Sequence, residues 1–244
     1  MQPLTENQLR QYKEQGYVII GRVLDDTALA AIRGEEARVR EFEPYEPNTT
    51  IFRSQLARYS AVIRDVIAAE SLVGVARQLI APTVCHWYNQ FVTKMPDGNR
   101  GKSEFPWHQD NGYVSIEPAT NLTIWIALDD VDERNGCVWV LPESHRQGLL
   151  DHRSAGKDSW HLTVSVVGDG VPAKLKAGEA VAFTGLTLHR SKLNHTDRPR
   201  RAFFIEYADP NGGYRRPPDT KTTPIIEVPD TWLLAGQMDW PKKR

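Results

Sequence analysis

Between Thr83 and Ala208 the chain alternates segments suited to a sheet with residues that turn a chain back. VCHWYNQFVTK, NLTIWIAL, CVWVLP, HLTVSVV, EAVAFTGLTLH and RRAFFIEYA are rich in β-branched and aromatic residues, and Gly, Pro, Asn and Asp separate them. This is the pattern of an antiparallel sandwich or barrel. Asn135-Gly136 accepts the positive φ of a tight turn and predicts a hairpin between WIALDDVDER and CVWVLP. Ala177-Gly178-Glu179, ahead of AVAFTG, predicts a second turn.

The part before Thr83 reads differently. Thr5 stands as an N-cap before ENQLRQYKEQ, with Gly16 as the stop, and YVII follows as a strand. LDDTALAAIRGEEARVREF has acidic residues at its start and places Leu29, Ile32 and Val39 on one helical face. A further helix is expected from about Tyr59 through VIRDVIAAESLVGVARQLI. No repeat or linker interrupts the 244 residues. The expectation is one domain over 1–244: helical support over about 1–82, a β core over about 83–210 and a C-terminal extension over 211–244, with the helices packed on the sheet.

Charge narrows the partners. Lys plus Arg number 30 against 31 Asp plus Glu, which gives no reason to expect a nucleic-acid or membrane-surface partner and leaves a small molecule. Cys85 and Cys137 lie in apolar surroundings and suit reduced core residues. With no signal-peptide pattern and no run of transmembrane length, a cytoplasmic protein is expected. Oligomeric state is not legible.

The chemistry gathers around FPWHQDNGYV. In an extended segment His108 and Asp110 point to one side and Gln109 to the other, so an imidazole and a carboxylate converge. Non-haem iron in an oxygenase takes two imidazoles and one carboxylate on one face and leaves the opposite face open. Of the seven histidines, His189 ends a strong β segment and suits the third position. Alone, an H-x-D pair is more simply read as a polar strand edge.

The wider pattern is more specific. WHQD, NGCVWVLPESH, AGEAVAFTGLTLHRSKLN and RPRRAF, in that order and spacing, resemble the phytanoyl-CoA dioxygenase family, and LTENQLRQYKEQGYVIIGRVL is similar to that family's opening. The resemblance runs from about Leu4 to Tyr207 and implies a mainly β fold, a double-stranded β-helix of the cupin-like jelly-roll kind. It also implies iron(II), 2-oxoglutarate as cosubstrate and dioxygen. The family's metal triad falls on His108, Asp110 and His189, and its 2-oxoglutarate clamp on Arg200, whose fork suits a carboxylate. Ser191, Trp125 and Gln90 match cosubstrate positions, and Arg53 matches a basic residue from before the barrel. Arg198 and Arg201 flank the clamp, but Arg201 should face away if Arg200 faces in. Phe105, Trp107, Asn111 and Tyr113 flank the pair and are expected at the substrate, and FEPYEPNTTIF is either a lid or a plain surface loop. Glu143 and Arg190 stand where the family has glycine. Arg190 points into another layer or meets an anionic substrate.

The resemblance implies hydroxylation of a small organic metabolite with release of succinate and carbon dioxide. A retained Asp110 argues against halogenation. Desaturation, cyclisation or epimerisation uses the same cofactors. A cupin-like binding protein without turnover and a zinc hydrolase are the rivals from other classes.

Overall fold

A computed structural model of the chain describes residues 3–45, 49–98, 101–157, 159–216, 221–227 and 232–235. Helix α1 (Glu6–Gln15) leads into β1 (Tyr17–Arg22), and α2 (Asp26–Arg40) into β2 (Thr50–Ser54). Helices α3 (Ala61–Ile67) and α4 (Glu70–Leu79) complete the helical part. The long β3 (Val84–Lys94) is followed by β4 (Phe105–His108), β5 (Ser115–Glu117), β6 (Leu122–Ala127) and β7 (Val138–Val140). Two-residue strands β8 (Arg153–Ser154), β9 (Leu162–Thr163) and β10 (Val171–Pro172) precede β11 (Glu179–Thr184), β12 (His189–Ser191) and β13 (Arg200–Ala208). Strands β14 (Gly213–Arg215), β15 (Thr223–Pro224) and β16 (Trp232–Ala235) lie in the expected C-terminal extension.

Local chemistry accounts for the first helix. The Thr5 hydroxyl accepts from the Gln8 amide at 3.2 Å while the Gln8 side chain accepts from the Thr5 amide at 3.0 Å, a complete capping box. Gly16 ends the helix in the left-handed region at φ +81°. The helix expected from Tyr59 to Ile80 is two, broken at extended Ala69. A single helix would carry Glu70 and Gly74 onto the face that Ile63, Val66 and Ile67 bury. The break leaves Glu70 exposed and lets α4 bury Leu72, Val73, Val75 and Ala76 instead.

Two antiparallel sheets make the jelly roll. The larger runs β1-β11-β6-β13-β3-β16, with β2 also paired to β3; the smaller runs β10-β7-β12-β4. Both faces of the larger sheet are covered. Ile124, Ile126, Ala180, Ala182, Phe203 and Ile205 pack outward with helical residues such as Ile32, Ile63 and Leu72. The alternate residues Trp125, Ala127, Val181, Phe183 and Ala202 point inward and meet Val138 and Val140 of the smaller sheet.

Two sequence expectations change here. Asn135-Gly136 does turn the chain, with Gly136 at φ +78°, but β6 and β7 belong to different sheets, so the turn is a crossing and no hairpin. Asn135 closes it, its Nδ2 donating to Asp130 O at 2.8 Å while its Oδ1 accepts from the Asp132 amide at 3.0 Å. EAVAFTGLTLH is likewise split into β11 and β12, one in each sheet. In FEPYEPNTTIF, β2 begins at Thr50, and residues 46–48 lie outside those described.

Candidate metal centre

Strand β4 ends at His108, Gln109 stays extended at φ −112° and ψ 142°, and Asp110 opens a short 3-10 turn to Gly112. The alternation therefore lasts one residue past the strand, which is enough to turn His108 and Asp110 to one side. Gln109 points the other way and is fastened there. Its Nε2 donates to Gly148 O at 2.8 Å and Leu186 O at 2.7 Å, and its Oε1 accepts from the Leu150 amide at 2.8 Å. The spacer thus ties two loops behind the site.

Pairing of β12 with β4 sets His189 directly opposite His108, with ring centroids 4.0 Å apart. Nε2 of His108 lies 3.8 Å from Asp110 Oδ1, and Nε2 of His189 lies 3.5 Å from the same oxygen. Each Nδ1 is committed to a carbonyl two residues back, Pro106 O at 2.8 Å and Thr187 O at 3.0 Å. Each Nδ1 therefore carries the proton and donates it, which leaves both Nε2 lone pairs aimed at a common point. Asp110 Oδ2 accepts the Thr123 hydroxyl at 2.6 Å, which leaves Oδ1 for an ion. Burial, and then the neighbouring His189, hold the His108 pKa well below the usual imidazole value, so the ring stays neutral. One potential ligand atom from each of the three lies within 4.8 Å of the others. Two imidazoles and a carboxylate on one face suit a divalent iron with open positions.

The residues expected at 2-oxoglutarate fall into two groups. Arg200 is buried, its Nη2 donating to Gly136 O at 3.0 Å and its Nη1 to Val92 O at 3.4 Å, with Nε unpartnered. Among the described residues no carboxylate pairs with it, and burial lowers its pKa to about 10. A buried cation without an anion fits a ligand carboxylate. Trp125 lies beside it, the guanidinium 5.3 Å from the ring centroid, and Trp125, Ser191 and Gln90 line the cavity in front of the triad. Arg201 does face away, bound to both oxygens of Asp129 at 2.6 and 3.0 Å.

Arg53 is elsewhere. Its guanidinium donates to the carbonyls of Val39, Arg40, Phe52 and Glu43, so it closes the C-terminal end of α2 and is absent from the cavity wall. Phe105 and Tyr113 line the cavity, but Trp107 and Asn111 do not. Trp107 alternates with His108 onto the other face of its strand, packing with Val164 and Leu188 under the Arg190 guanidinium, 4.6 Å from its ring. Asn111 is buried in the turn, its amide donating to Gly185 O at 3.0 Å. The Arg190 guanidinium lies over Trp107 and Trp139 and donates to Asp169 O at 3.1 Å, while the residue also forms part of the cavity wall.

The cavity holds about 460 Å³ and is strongly aromatic. Phe52, Phe105, Tyr113 and Trp160 surround one part, with Trp160 against Phe52 at 5.3 Å and Phe105 at 5.7 Å. Tyr88 and Phe204, 5.7 Å apart, wall another beside the buried carboxyl of Glu206. Thr123, Phe183, Tyr88, Phe204 and Glu206 are contributions that the sequence reading missed. Their signal was parity: Thr123 lies two residues from Trp125, and Phe204 and Glu206 share the even numbering of Arg200. A groove of about 1000 Å³ opens beside Asp129 and Asp130, lined by none of the triad, and its cations, Arg201 and Lys176 among them, are paired with carboxylates.

Comparison with known proteins places this geometry. The family described as Phytanoyl-CoA dioxygenase (PhyH) matches residues 12–202. The peroxisomal phytanoyl-CoA dioxygenase of Bos taurus is 23% identical over 240 residues, covering 86% of this chain and 70% of that protein. The ectoine dioxygenase of Bordetella parapertussis is 26% identical over 234 residues, covering 84% and 75%. Among solved structures, the non-heme alpha ketoglutarate dependent carbocyclase SnoK from nogalamycin biosynthesis superposes with a TM-score of 0.77 at 23% identity, covering 96% of this chain and 99% of that one. The epimerase SnoN, in complex with Fe3+, alpha ketoglutarate and nogalamycin RO, gives 0.73 at 23% identity, covering 90% and 92%.

Proposed function

The chain belongs to the phytanoyl-CoA dioxygenase family and is an iron(II)- and 2-oxoglutarate-dependent dioxygenase, and on that premise we propose that it hydroxylates a small organic molecule, releasing succinate and carbon dioxide. The observation that carries the reading is the convergence of two His Nε2 atoms and one Asp oxygen on a cavity whose wall includes Trp125, next to a buried, anion-free Arg200. His108, Asp110 and His189 would hold the metal, and Arg200, with Ser191, Trp125 and Gln90 around it, would hold the far carboxylate of 2-oxoglutarate. When bound, iron(II) and 2-oxoglutarate supply the means of activating dioxygen against a C–H bond. The chain's own part is positional. Pro106 O and Thr187 O fix the two imidazole tautomers, Thr123 orients Asp110, and the aromatic walls exclude water from the reacting carbon.

Ring closure, desaturation or epimerisation with the same cofactors is the second reading, supported by the carbocyclase and epimerase that share the fold. We further read residues 1–244 as one domain, because the helices and the larger sheet share a core. Among the described residues no helix is long and apolar enough to cross a membrane. A cytoplasmic setting is supported by the two buried free cysteines, whose thiols burial pushes up to about 12. A small-molecule substrate, with no nucleic-acid or membrane partner, is supported by the cavity volume and the balanced charge.

The test is anaerobic addition of iron(II) and 2-oxoglutarate, with the charge-transfer band of the chelate read at about 500 nm. The band is expected in the native chain and weakened in Arg200→Ala. Iron binding without a band would favour a metal-binding protein without turnover.

A further inference from the structure

Strand β13 carries Phe204 and Glu206 into the cavity wall, and the inward residues of the strand differ sharply from end to end. Arg200 stands at one end; Glu206, six residues later and about 20 Å away along the strand, stands at the other. The register puts Glu206 beside Thr123 of β6 and Tyr88 of β3, with Phe204 two residues back on the same face. Thr123 holds Asp110, so this carboxyl belongs to the neighbourhood of the triad without touching the ligand atoms that converge there.

Glu206 is 7% exposed and lines the cavity. Among the described residues no Lys, Arg or His forms an ion pair with it. Its contacts are a long hydrogen bond from Asn121 Nδ2 at 3.5 Å and the hydroxyl of Thr123, which is engaged with Asp110. Arg190 and Arg216 also line the cavity, but Arg190 is committed to Asp169 and Arg216 is an exposed residue. A carboxyl buried at this depth and so weakly satisfied is costly to the fold, and a ligand that donates to it removes the cost. The walls add a second requirement. Tyr88, Phe204 and Tyr113 offer ring faces, which suit an apolar or ring-bearing group and also the positive charge of an ammonium.

We propose that Glu206 is the substrate-anchoring residue, binding an N–H or O–H donor on a ring-bearing substrate and so turning one face of it toward the triad. The proposal deepens the oxygenase reading and rests on it only in taking this cavity as the substrate cavity. Its polarity then assigns the two ends. The anionic cosubstrate lies toward Arg200, and the donor group of the substrate lies toward Glu206.

The experiment uses four probes that share a phenyl ring and differ at the end of a short chain: phenethylamine, phenethyl alcohol, propylbenzene and hydrocinnamate. Their affinities for the whole chain are measured by titration calorimetry, with and without iron(II) and 2-oxoglutarate under anaerobic conditions. At least one donor probe is expected to bind about tenfold tighter than propylbenzene, and Glu206→Leu to erase that margin. Glu206→Gln separates the donors, keeping the preference for the alcohol, whose hydroxyl the amide still accepts, and losing the preference for the ammonium. A margin that survives in Glu206→Leu, tightest binding by hydrocinnamate, or no binding by either donor probe overturns the proposal.

Thermal unfolding supplies an independent readout. Removal of a buried carboxyl kept for binding should raise the midpoint of Glu206→Leu, whereas a structural role for the carboxyl would lower it. The chelate band is expected unchanged in both Glu206 variants. A missing band in the native chain with the probe ranking intact would sink the iron reading and leave this one standing.

Discussion

Each metal-ligand candidate is held by a neighbour that the local motif does not name. The H-x-D pair is visible in the sequence, but Thr123 is not, because its contact with Asp110 exists only once β6 and the turn after β4 are brought together. Replacing Thr123 by Val keeps the shape and removes the donor to Oδ2, leaving Asp110 free to swing. Iron(II) affinity in Thr123→Val is expected to fall about 10-fold to 100-fold with the circular dichroism spectrum retained, as read by metal titration. Unchanged affinity would mean that the turn alone positions the carboxylate. Arg53 teaches the converse. A basic residue in the right order along the chain has its fork spent on four carbonyls at the end of α2, a demand that only the folded helix creates.

Elements were legible where one sheet holds a whole segment. VCHWYNQFVTK is β3 from end to end, and RRAFFIEYA is β13, because both lie within the larger sheet and have neighbours on each side. EAVAFTGLTLH and the Asn135-Gly136 turn misled for a shared reason. A jelly roll sends the chain from one sheet to the other at such points, and composition does not record which sheet a strand joins. The turn also supports Arg200 through Gly136 O. At φ +78° a Cβ on residue 136 is strained, and it would stand 2.6 Å from Lys192 O. Gly136→Ala is therefore expected to shift the guanidinium and raise KM for 2-oxoglutarate about tenfold, with a smaller change in kcat, in a succinate-release assay. Equal losses in both parameters would show that the turn serves the fold at large.

At the scale of the molecule, the resemblance in four ordered motifs carried the fold and the chemistry, while the cavity walls stayed hidden until strand register was known. Tyr88, Phe204 and Trp160 come from segments far apart in sequence, and their ring types alone fit a core equally well. Burial of histidines around the site also has a global consequence. His108, His152 and His161 all have pKa values lowered chiefly by burial, so the unfolded chain binds protons, at about pH 6.5, before the folded one does. The contribution of these histidines to the stability of the metal-free protein should be complete above that value and decline as pH falls through the window below it. Urea midpoints at a series of pH values check this, and a midpoint that does not fall on acidification would rule it out.

Strand β13 can be read as two interleaved texts. Its odd-numbered residues Phe203, Ile205 and Tyr207 hold the helical layer, while its even-numbered ones, Arg200, Phe204 and Glu206, face the chemistry. Substitution at 204 and 206 can therefore rewrite what the enzyme accepts while sparing the text that keeps it folded. Inserting or deleting a single residue between Arg200 and Glu206 would exchange the two. New substrate ranges in this lineage should arise by replacement along that strand at constant length, and a laboratory library confined to positions 204 and 206 would explore the same space.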